Sequence, residues 1–447
     1  MKPNPQNDTL GRAARIERTV ALLPINFFLL AALFFAVGVV ALPLVARGVV
    51  ADYFYGPWAL ALVHTFTLGW ITASLMGVMY RYAPALTHGQ IPFPRLAVAQ
   101  FWLFVVGSTG MVTHFALGAW MGMWLAAIVM LFSVMLFAFI LLPLLWPQTG
   151  RGVAETGMFG AICFLLAAGT LGVLLAMDKS YDFMGGTLLT NLGAHVALAA
   201  IGWVTLAICA VSYRMLPAFI LPTIALPRAA IYQLYALGVG VIGLAVTLLG
   251  SWRGAAAWSA LVVLSMLAYL ATMARLMRTR RMPLDWTARH ALAGFLWLIA
   301  TAATGIALSL IGAASPAGSR IAACFGAAGL LGFFSNLIIG MSYRLFVAFA
   351  IRARAAAGWD TATTDSLVYT RPRLLVFATF NAGVAILVVG FLAGASFLAE
   401  AGAALVAIGG GIYVSGTLRT LSLAYRPLHD RDGARAAHYM GSWRKSR

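Results

Sequence analysis

Charge is what this sequence has least of. Only 9% of its 447 residues are Asp, Glu, Lys or Arg, whereas soluble proteins carry about 25%. Hydrophobic residues make up 62% of the chain, and apolar stretches of about 20 residues, enough to cross a bilayer, recur along it. This composition excludes a soluble globular domain. It predicts an all-α integral membrane protein whose main partner is the lipid bilayer.

Acidic side chains are missing from the middle of these stretches. All 12 Asp and Glu residues fall in predicted loops, tails or the first turn of a predicted span. Proton-coupled transporters and pumps generally need a carboxylate at mid-membrane, so a mechanism of that kind is disfavoured. The same scarcity disfavours Mg²⁺ or Ca²⁺ sites, because these ions require oxygen ligands.

Cysteines and nucleotide-binding motifs are also scarce. Cys163, Cys209 and Cys324 all fall in apolar stretches without metal-like spacing, and we expect them to be inert packing residues. The chain has no glycine-rich phosphate loop, no dinucleotide fingerprint and no CxxCH heme attachment motif. A nucleotide-driven protein and a c-type cytochrome are therefore excluded.

The apolar stretches predict twelve membrane spans, with both termini in the cytoplasm. Loops on one side of the predicted topology contain only four basic residues, Arg47, Lys179, Arg253 and Arg320. The positive-inside rule places the opposite side in the cytoplasm, and we expect the membrane to be a bacterial inner membrane. The net charge of +18 is thus a topology signal that suits anionic lipids, and nucleic acid binding has no support. The predicted spans are 21–45, 57–82, 95–118, 121–146, 155–177, 187–215, 228–250, 255–277, 287–312, 320–348, 373–398 and 401–424.

A short motif recurs three times, in predicted spans 2, 6 and 10. Each copy begins with a glycine and ends twelve residues later on a Tyr-Arg pair, at 69–81, 202–214 and 332–344. The spacing predicts a four-helix unit repeated three times as a pseudo-threefold bundle, in which the glycines let helices approach closely. The chain would form one membrane domain, with units at about 20–147, 155–280 and 286–425 and cytoplasmic tails at 1–19 and 426–447.

Three of the seven histidines fall well inside predicted spans. His64, His114 and His195 would each lie roughly 8–12 Å below the outer surface, given a rise of 1.5 Å per residue. Neutral imidazole is the commonest protein ligand for transition metals and also binds heme iron. Three at one depth favour a shared heme or metal site over separate interhelical hydrogen bonds. The remaining histidines, His88, His290, His429 and His438, are predicted to be cytoplasmic or interfacial.

The helical register leaves two arrangements of this site open. Aligned on the repeat glycine, His64 and His195 are offset by two residues, which is about 200° around a helix. They could converge between spans 2 and 6 or diverge into separate spaces, and His114 on the next helix would suit convergence. Met111 lies close to His114 in sequence, and a thioether with imidazole favours copper(I). Packing is the more common role of methionine.

Twelve spans in three units, with a histidine near the outer end of span 2, resemble the catalytic subunit of heme-copper oxidases and nitric oxide reductases. The layout is also similar to that of NnrS-type membrane proteins, which are linked to heme, copper and nitric oxide stress. The resemblance implies an oxidase-like scaffold in which His64, and by extension His195, bind a b-type heme. The oxidase resemblance rests on Val63, His64, Thr65, Gly69, Trp70, Tyr80, Arg81 and Pro84 in span 2. The similarity to NnrS-type proteins rests on residues 195–202 in span 6 and on Pro24 with residues 27–30 in span 1.

The departures from the oxidase pattern limit the expected chemistry. Predicted span 10 has no histidine to act as a heme ligand, and span 7 has none for a copper site. The full oxygen-reducing site is therefore expected to be absent. We expect a heme- or copper-binding protein in electron transfer or nitric oxide handling, with a respiratory complex or electron donor as partner, and leave its enzymatic activity open. The alternatives are a transporter for copper, heme or a small solute, and a non-catalytic partner of a respiratory complex.

Overall fold

The computed structural model describes residues 5–359, 361 and 372–426, with side chains from Ile16 onward. In these residues the protein is all-α, without a β-strand, and twelve helices are long and apolar enough to cross a membrane. The predicted fold class is therefore confirmed. The predicted C-terminal tail, with His429 and His438, lies outside the described residues. The helices are α1 (Pro5–Ala51), α2 (Pro57–Leu86), α3 (Pro94–Leu117), α4 (Met123–Gln148), α5 (Val153–Tyr181), α6 (Leu188–Ile220), α7 (Ala229–Leu249), α8 (Ala255–Arg278), α9 (Trp286–Ile311), α10 (Pro316–Ala356), α11 (Arg373–Ala393) and α12 (Ser396–Ser422).

Local sequence explains where several helices begin and end. Pro57, Pro94 and Pro316 occupy the first turn of their helices, where the missing N–H costs no hydrogen bond. Asp285 begins α9 by accepting a hydrogen bond from the backbone N–H of Ala288 at 2.9 Å. Gly394 ends α11 in the left-handed region at φ 66°.

Several predicted boundaries are wrong by four residues or more. The hydrophobic pattern placed the turn between α11 and α12 at about 399–400, whereas α11 ends at Ala393 and α12 begins at Ser396. The residues on both sides of this turn are apolar, so hydropathy alone did not mark it. α10 also continues to Ala356, about two turns beyond the predicted end, because its last residues are helix-forming alanines and arginines.

The repeat glycines make the same contact in all three units. A Cβ built on any of them would lie 2.0 to 2.7 Å from an aromatic side chain of the first helix in the same unit. This is too close for any residue with a side chain, so glycine is required for the two helices to pack. The pairs are Gly69 with Phe34, Gly202 with Phe164, and Gly332 with Trp297.

The second helices of the three units meet at the centre of the bundle. Trp70 of α2 donates a hydrogen bond to Ser335 of α10 at 3.0 Å, and Trp203 of α6 donates to Thr72 of α2 at 2.9 Å. Both tryptophans follow the repeat glycine directly, and both acceptors lie three residues after it. The third position of this cycle holds Phe333, whose ring has no N–H. These hydrogen bonds join the units around a shared centre.

Each central helix is a π-helix where it carries the repeat glycine, over Thr65–Thr72, Ala197–Thr205 and Ala328–Ser335. The hydroxyls of Thr205 and Ser335 donate to carbonyls five residues back, Ala200 and Leu330, in keeping with i→i+5 geometry. Extended π segments are uncommon and tend to occur at functional sites. The histidines lie at the start of two of them.

Candidate functional site: the intramembrane histidines

His64 lies on α2, directly before the first π segment. Its Nδ1 is 2.8 Å from the carbonyl oxygen of Leu60. Only an N–H can hydrogen-bond to a carbonyl, so Nδ1 carries the proton and the neutral ring keeps an unprotonated Nε2. Its imidazole also stacks on Phe115 of α3, with ring centroids 4.3 Å apart and an angle of 24° between the planes. The ring is therefore held in one tautomer and one orientation.

His195 lies on α6, two residues before the second π segment. Its Nδ1 is buried and has no hydrogen-bond partner within the described part of the chain. The ring faces α5, where a Cβ built on Gly172 would be 3.1 Å from His195 Cε1. Glycine at position 172 thus gives this imidazole room that any larger residue would reduce. An unpartnered buried nitrogen costs free energy unless something binds there.

The structure brings His64 and His195 together. The two imidazoles lie within electrostatic range of each other, in the space where α5 and α6 approach α2. This proximity favours the convergent arrangement of the two that the sequence left open.

His114 does not join them in a cluster. Its Nδ1 is 2.8 Å from the carbonyl oxygen of Gly110 on its own helix. Among the described residues, no group of three or more His, Cys, Asp or Glu side chains could hold a metal ion together. A site formed by all three intramembrane histidines is therefore not assembled.

Met111 is buried in an apolar cluster beside the pair. This cluster also contains Met123, Val173 and Phe115, the last of which stacks on His64. Met111 therefore belongs to the same apolar cluster as the ring that stacks on His64.

An aromatic cage holds one cation at the same end of the bundle. The Lys179 ammonium lies 4.7 Å from the centre of the Tyr55 ring and 4.4 Å from that of Trp120. Burial, with the nearby Asp178 carboxylate adding to it, raises the pKa of Tyr55 to about 12. The phenol stays neutral at physiological pH, so the ammonium is held by the faces of two neutral rings.

His290 was predicted to be cytoplasmic or interfacial and solvated, and the prediction that it is solvated is wrong. Its side chain is fully buried, and Nδ1 lies 2.9 Å from Asn336 Oδ1. Asn336 exchanges hydrogen bonds of 3.1 Å with Asn381, which also accepts one from Trp297. This network was not predicted from the sequence, because His290 lies only four residues into α9 and a position so close to a helix start suggests contact with solvent.

The donor set of the pair suits a transition metal. Two neutral nitrogens lie in an apolar setting, and the backbone carbonyl of Leu60 orients one ring, which is the usual role of the group behind a metal-bound histidine. Heme iron and copper both accept two imidazoles. His195 has an unpartnered nitrogen and, beside Gly172, room for its ring. Both features suit binding of such a group.

Comparison with known proteins identifies no family. No family model matches the chain, and no curated protein matches it significantly. The arguments for function therefore come from the chain itself.

Proposed function

We propose that this protein binds a redox-active metal centre, b-type heme or copper, between His64 and His195 and uses it in electron transfer or nitric oxide handling. The proximity of two intramembrane imidazoles, one of them with a buried nitrogen that has no partner among the described residues, is the observation that carries the proposal. The oxidase-like layout of three four-helix units adds to it. A bacterial inner membrane with cytoplasmic termini would place the pair in the outer half of the bilayer.

The roles of the residues follow from their positions. Leu60 keeps Nδ1 of His64 protonated, so that Nε2 is the ligating nitrogen. Phe115 limits rotation of that ring by stacking on it. A bound iron or copper would supply one-electron chemistry, with a potential tuned by its two imidazoles and the apolar surroundings. Electrons would come from a donor in the membrane or from a respiratory partner.

An absorption spectrum of the detergent-purified protein, combined with its iron and copper content, tests the proposal. Heme predicts a Soret band with sharp α and β bands after reduction by dithionite. Copper predicts about one equivalent of the metal without these bands. Either signal should be altered in His64→Ala and in His195→Ala, because each variant removes one ligand, and it should be lost when both histidines are replaced.

His114→Ala is the matched control, because it removes an imidazole at a similar depth outside the pair. It should retain the bound group. A spectrum without heme bands, in a protein free of iron and copper after expression with both supplied, would contradict the proposal. It would favour a solute transporter or a non-catalytic partner of a respiratory complex.

A further inference from the structure

The three units repeat one more contact, at the end of the bundle that carries the Tyr-Arg pairs (the Tyr-Arg end). In each, the tyrosine ring of the pair packs edge-on against an aromatic ring of the fourth helix. The pairs are Tyr80 with Phe137 (5.3 Å, 79°), Tyr213 with Tyr269 (5.4 Å, 77°) and Tyr343 with Tyr413 (6.2 Å, 70°). Because the same ring pair recurs in every unit, the first two units can be compared position by position with the third.

In the first two units a glutamine of the third helix satisfies the tyrosine hydroxyl. Tyr80 donates to Gln100 at 2.9 Å, and Tyr213 donates to Gln233 at 3.0 Å. Each glutamine lies seven residues before a glycine, Gly107 or Gly240, that packs against the fourth helix. The corresponding glycine of the third unit is Gly383, which packs against Val406. Seven residues before it stands Val376, which cannot accept a hydrogen bond.

The hydroxyl of Tyr343 therefore lacks the glutamine acceptor that the other two units have. It is buried and has no hydrogen-bond partner among the residues that the structure describes, and the same is true of Nε of Arg373. Arg373 lies three residues before Val376, where the other units have the buried alanines Ala97 and Ala230. Its guanidinium lies 4.7 Å from the centre of the Tyr343 ring. The third unit has thus lost an acceptor and gained a cation at one place.

The fourth helix changes in the same direction. Thr417 and Thr420 of α12 follow Tyr413 by four and seven residues. In the first two units these positions hold apolar residues, three of them buried and one, Leu144, partly buried. The corresponding residues are Leu141 and Leu144 in the first unit and Met273 and Leu276 in the second.

A cavity of about 40 Å³ lies between α10, α11 and α12, lined by Tyr343, Arg373, Thr417 and Thr420. A water molecule needs about 10–15 Å³ by this measure, so the space accommodates roughly three oxygen-sized atoms. This is enough for the exposed oxygens of one phosphate group and too little for a large organic molecule.

We propose that this cavity, which we call the Tyr343 pocket, binds a phosphate-type oxyanion. The Tyr343 hydroxyl and Nε of Arg373 are donors without acceptors among the described residues. Because α11 begins at Arg373, the free N–H groups of its first turn add positive potential. Among the described residues, the carboxylate that acts on Arg373 is Asp285, and it is already paired with Arg344 at 2.6 Å. The excess positive charge at this site therefore calls for an anion from outside the described residues.

The phosphate could come from a lipid headgroup or from solution. The pocket lies at the end of α11 that the topology prediction assigns to the cytoplasmic surface, where anionic lipids are abundant. Both sources offer the same oxygens to Arg373 and Tyr343. An experiment can separate them.

The test uses the full chain in phosphatidylcholine nanodiscs and follows its thermal unfolding. Inorganic phosphate is titrated at constant ionic strength, and a second series replaces part of the phosphatidylcholine by phosphatidylglycerol. We expect a saturable rise in unfolding temperature in at least one series. A rise in both supports a general phosphate site, and a rise with phosphatidylglycerol alone supports a lipid headgroup site. No rise in either overturns the proposal.

Variants show whether the effect belongs to the pocket. Arg373→Ala should weaken the response roughly tenfold, the effect of losing one charge-assisted hydrogen bond, and Tyr343→Phe should weaken it less. Val376→Gln restores the glutamine of the other units, so it should stabilise the protein without phosphate and abolish the response. Arg228→Ala removes a positive charge at the start of α7, the corresponding helix of the second unit, and should respond as the wild type does. An unchanged response in both Arg373→Ala and Val376→Gln contradicts the proposal.

Discussion

The three units are alike at the centre of the bundle and differ from one another at its two ends. At the centre, each unit packs its repeat glycine against an aromatic ring and has a π segment. In the first two units, the tryptophan after that glycine donates a hydrogen bond to a neighbouring unit. At the ends they diverge. Only the first two units carry the paired histidines, and only the third has the Tyr343 pocket.

The difference teaches where to look for function in a repeated fold. Contacts that all units need for packing must survive in each copy, because each helix pair depends on them. A polar group that appears in one copy alone has no such packing reason. His195 and Arg373 both belong to this second class, and each has a buried polar atom without a partner in the described structure.

The strongest test of the shared centre is Gly69→Val. A Cβ at this position would lie 2.0 Å from Phe34, so α1 and α2 would have to move apart. We expect a loss of ~3 kcal/mol or more, at or above the upper end of usual overpacking costs, seen as lower unfolding temperature and poor yield in detergent. Gly411→Val on α12 is the control, since a Cβ there meets nothing within 4 Å. Equal stability of the two variants would contradict the role of the repeat glycine.

Gln100→Val makes the first unit resemble the third. It leaves the Tyr80 hydroxyl without its 2.9 Å acceptor, at an expected cost of about 1–3 kcal/mol for a buried unsatisfied group. Adding Tyr80→Phe should recover part of that loss, because the unpaired hydroxyl is then removed as well. Unfolding of both variants in detergent checks this. If the double variant is less stable than the single one, the hydrogen bond is not the cause.

Asn336→Leu breaks the polar network of the third unit. Asn336 bonds to His290 and Asn381, so its loss should cost about 1–3 kcal/mol. The spectrum and the metal content should be unchanged, because the network lies apart from the paired histidines. A change in the spectrum without a change in stability would instead assign His290 a part in the metal site.

Trp203→Phe tests the cycle of hydrogen bonds between units. It converts the second unit to the arrangement seen at Phe333 and removes the 2.9 Å bond to Thr72. The expected loss is about 0.5–1.5 kcal/mol, the net worth of one hydrogen bond, measured by unfolding in detergent. A loss above about 3 kcal/mol would mean that the ring size, and not the N–H, sets the stability.

Gly172→Ala should have the smallest effect. Its new Cβ would be 3.1 Å from His195 Cε1, so the imidazole must shift by a few tenths of an ångström. We expect an altered spectrum or a shifted midpoint potential of the bound group, with stability within about 1 kcal/mol of the wild type. Gly326→Ala, which meets nothing within 4 Å, should leave both unchanged.

The sequence predicted what depends on hydropathy and spacing. Twelve apolar stretches and three spaced Gly and Tyr-Arg motifs were enough for the spans and the repeat, because a helix in lipid must satisfy its own backbone. The π segments gave no signal, since Thr65–Thr72 is as apolar as the α-helical sequence around it. The meeting of His64 and His195 depends on how α2 and α6 face each other, which two offset positions could not decide.

The Tyr343 pocket was not predicted from the sequence, for a different reason. Val376 and Thr417 are ordinary residues in a membrane helix, and only alignment of the three units through their packing contacts shows what they replace. His290 was misplaced because four residues from a helix start can still lie deep in a bundle when a neighbouring helix, here α10, extends past it.

X-ray absorption at the edge of the bound metal tests the central claim most directly. In the wild-type protein we predict two imidazole nitrogens bound to the metal, with any further ligands supplied by a porphyrin or by thioethers. His195→Ala should lose one of the two, and His64→Ala with His195→Ala should lose the metal. A fully loaded double variant with two imidazoles still bound would contradict the account, because it would place the site at other histidines.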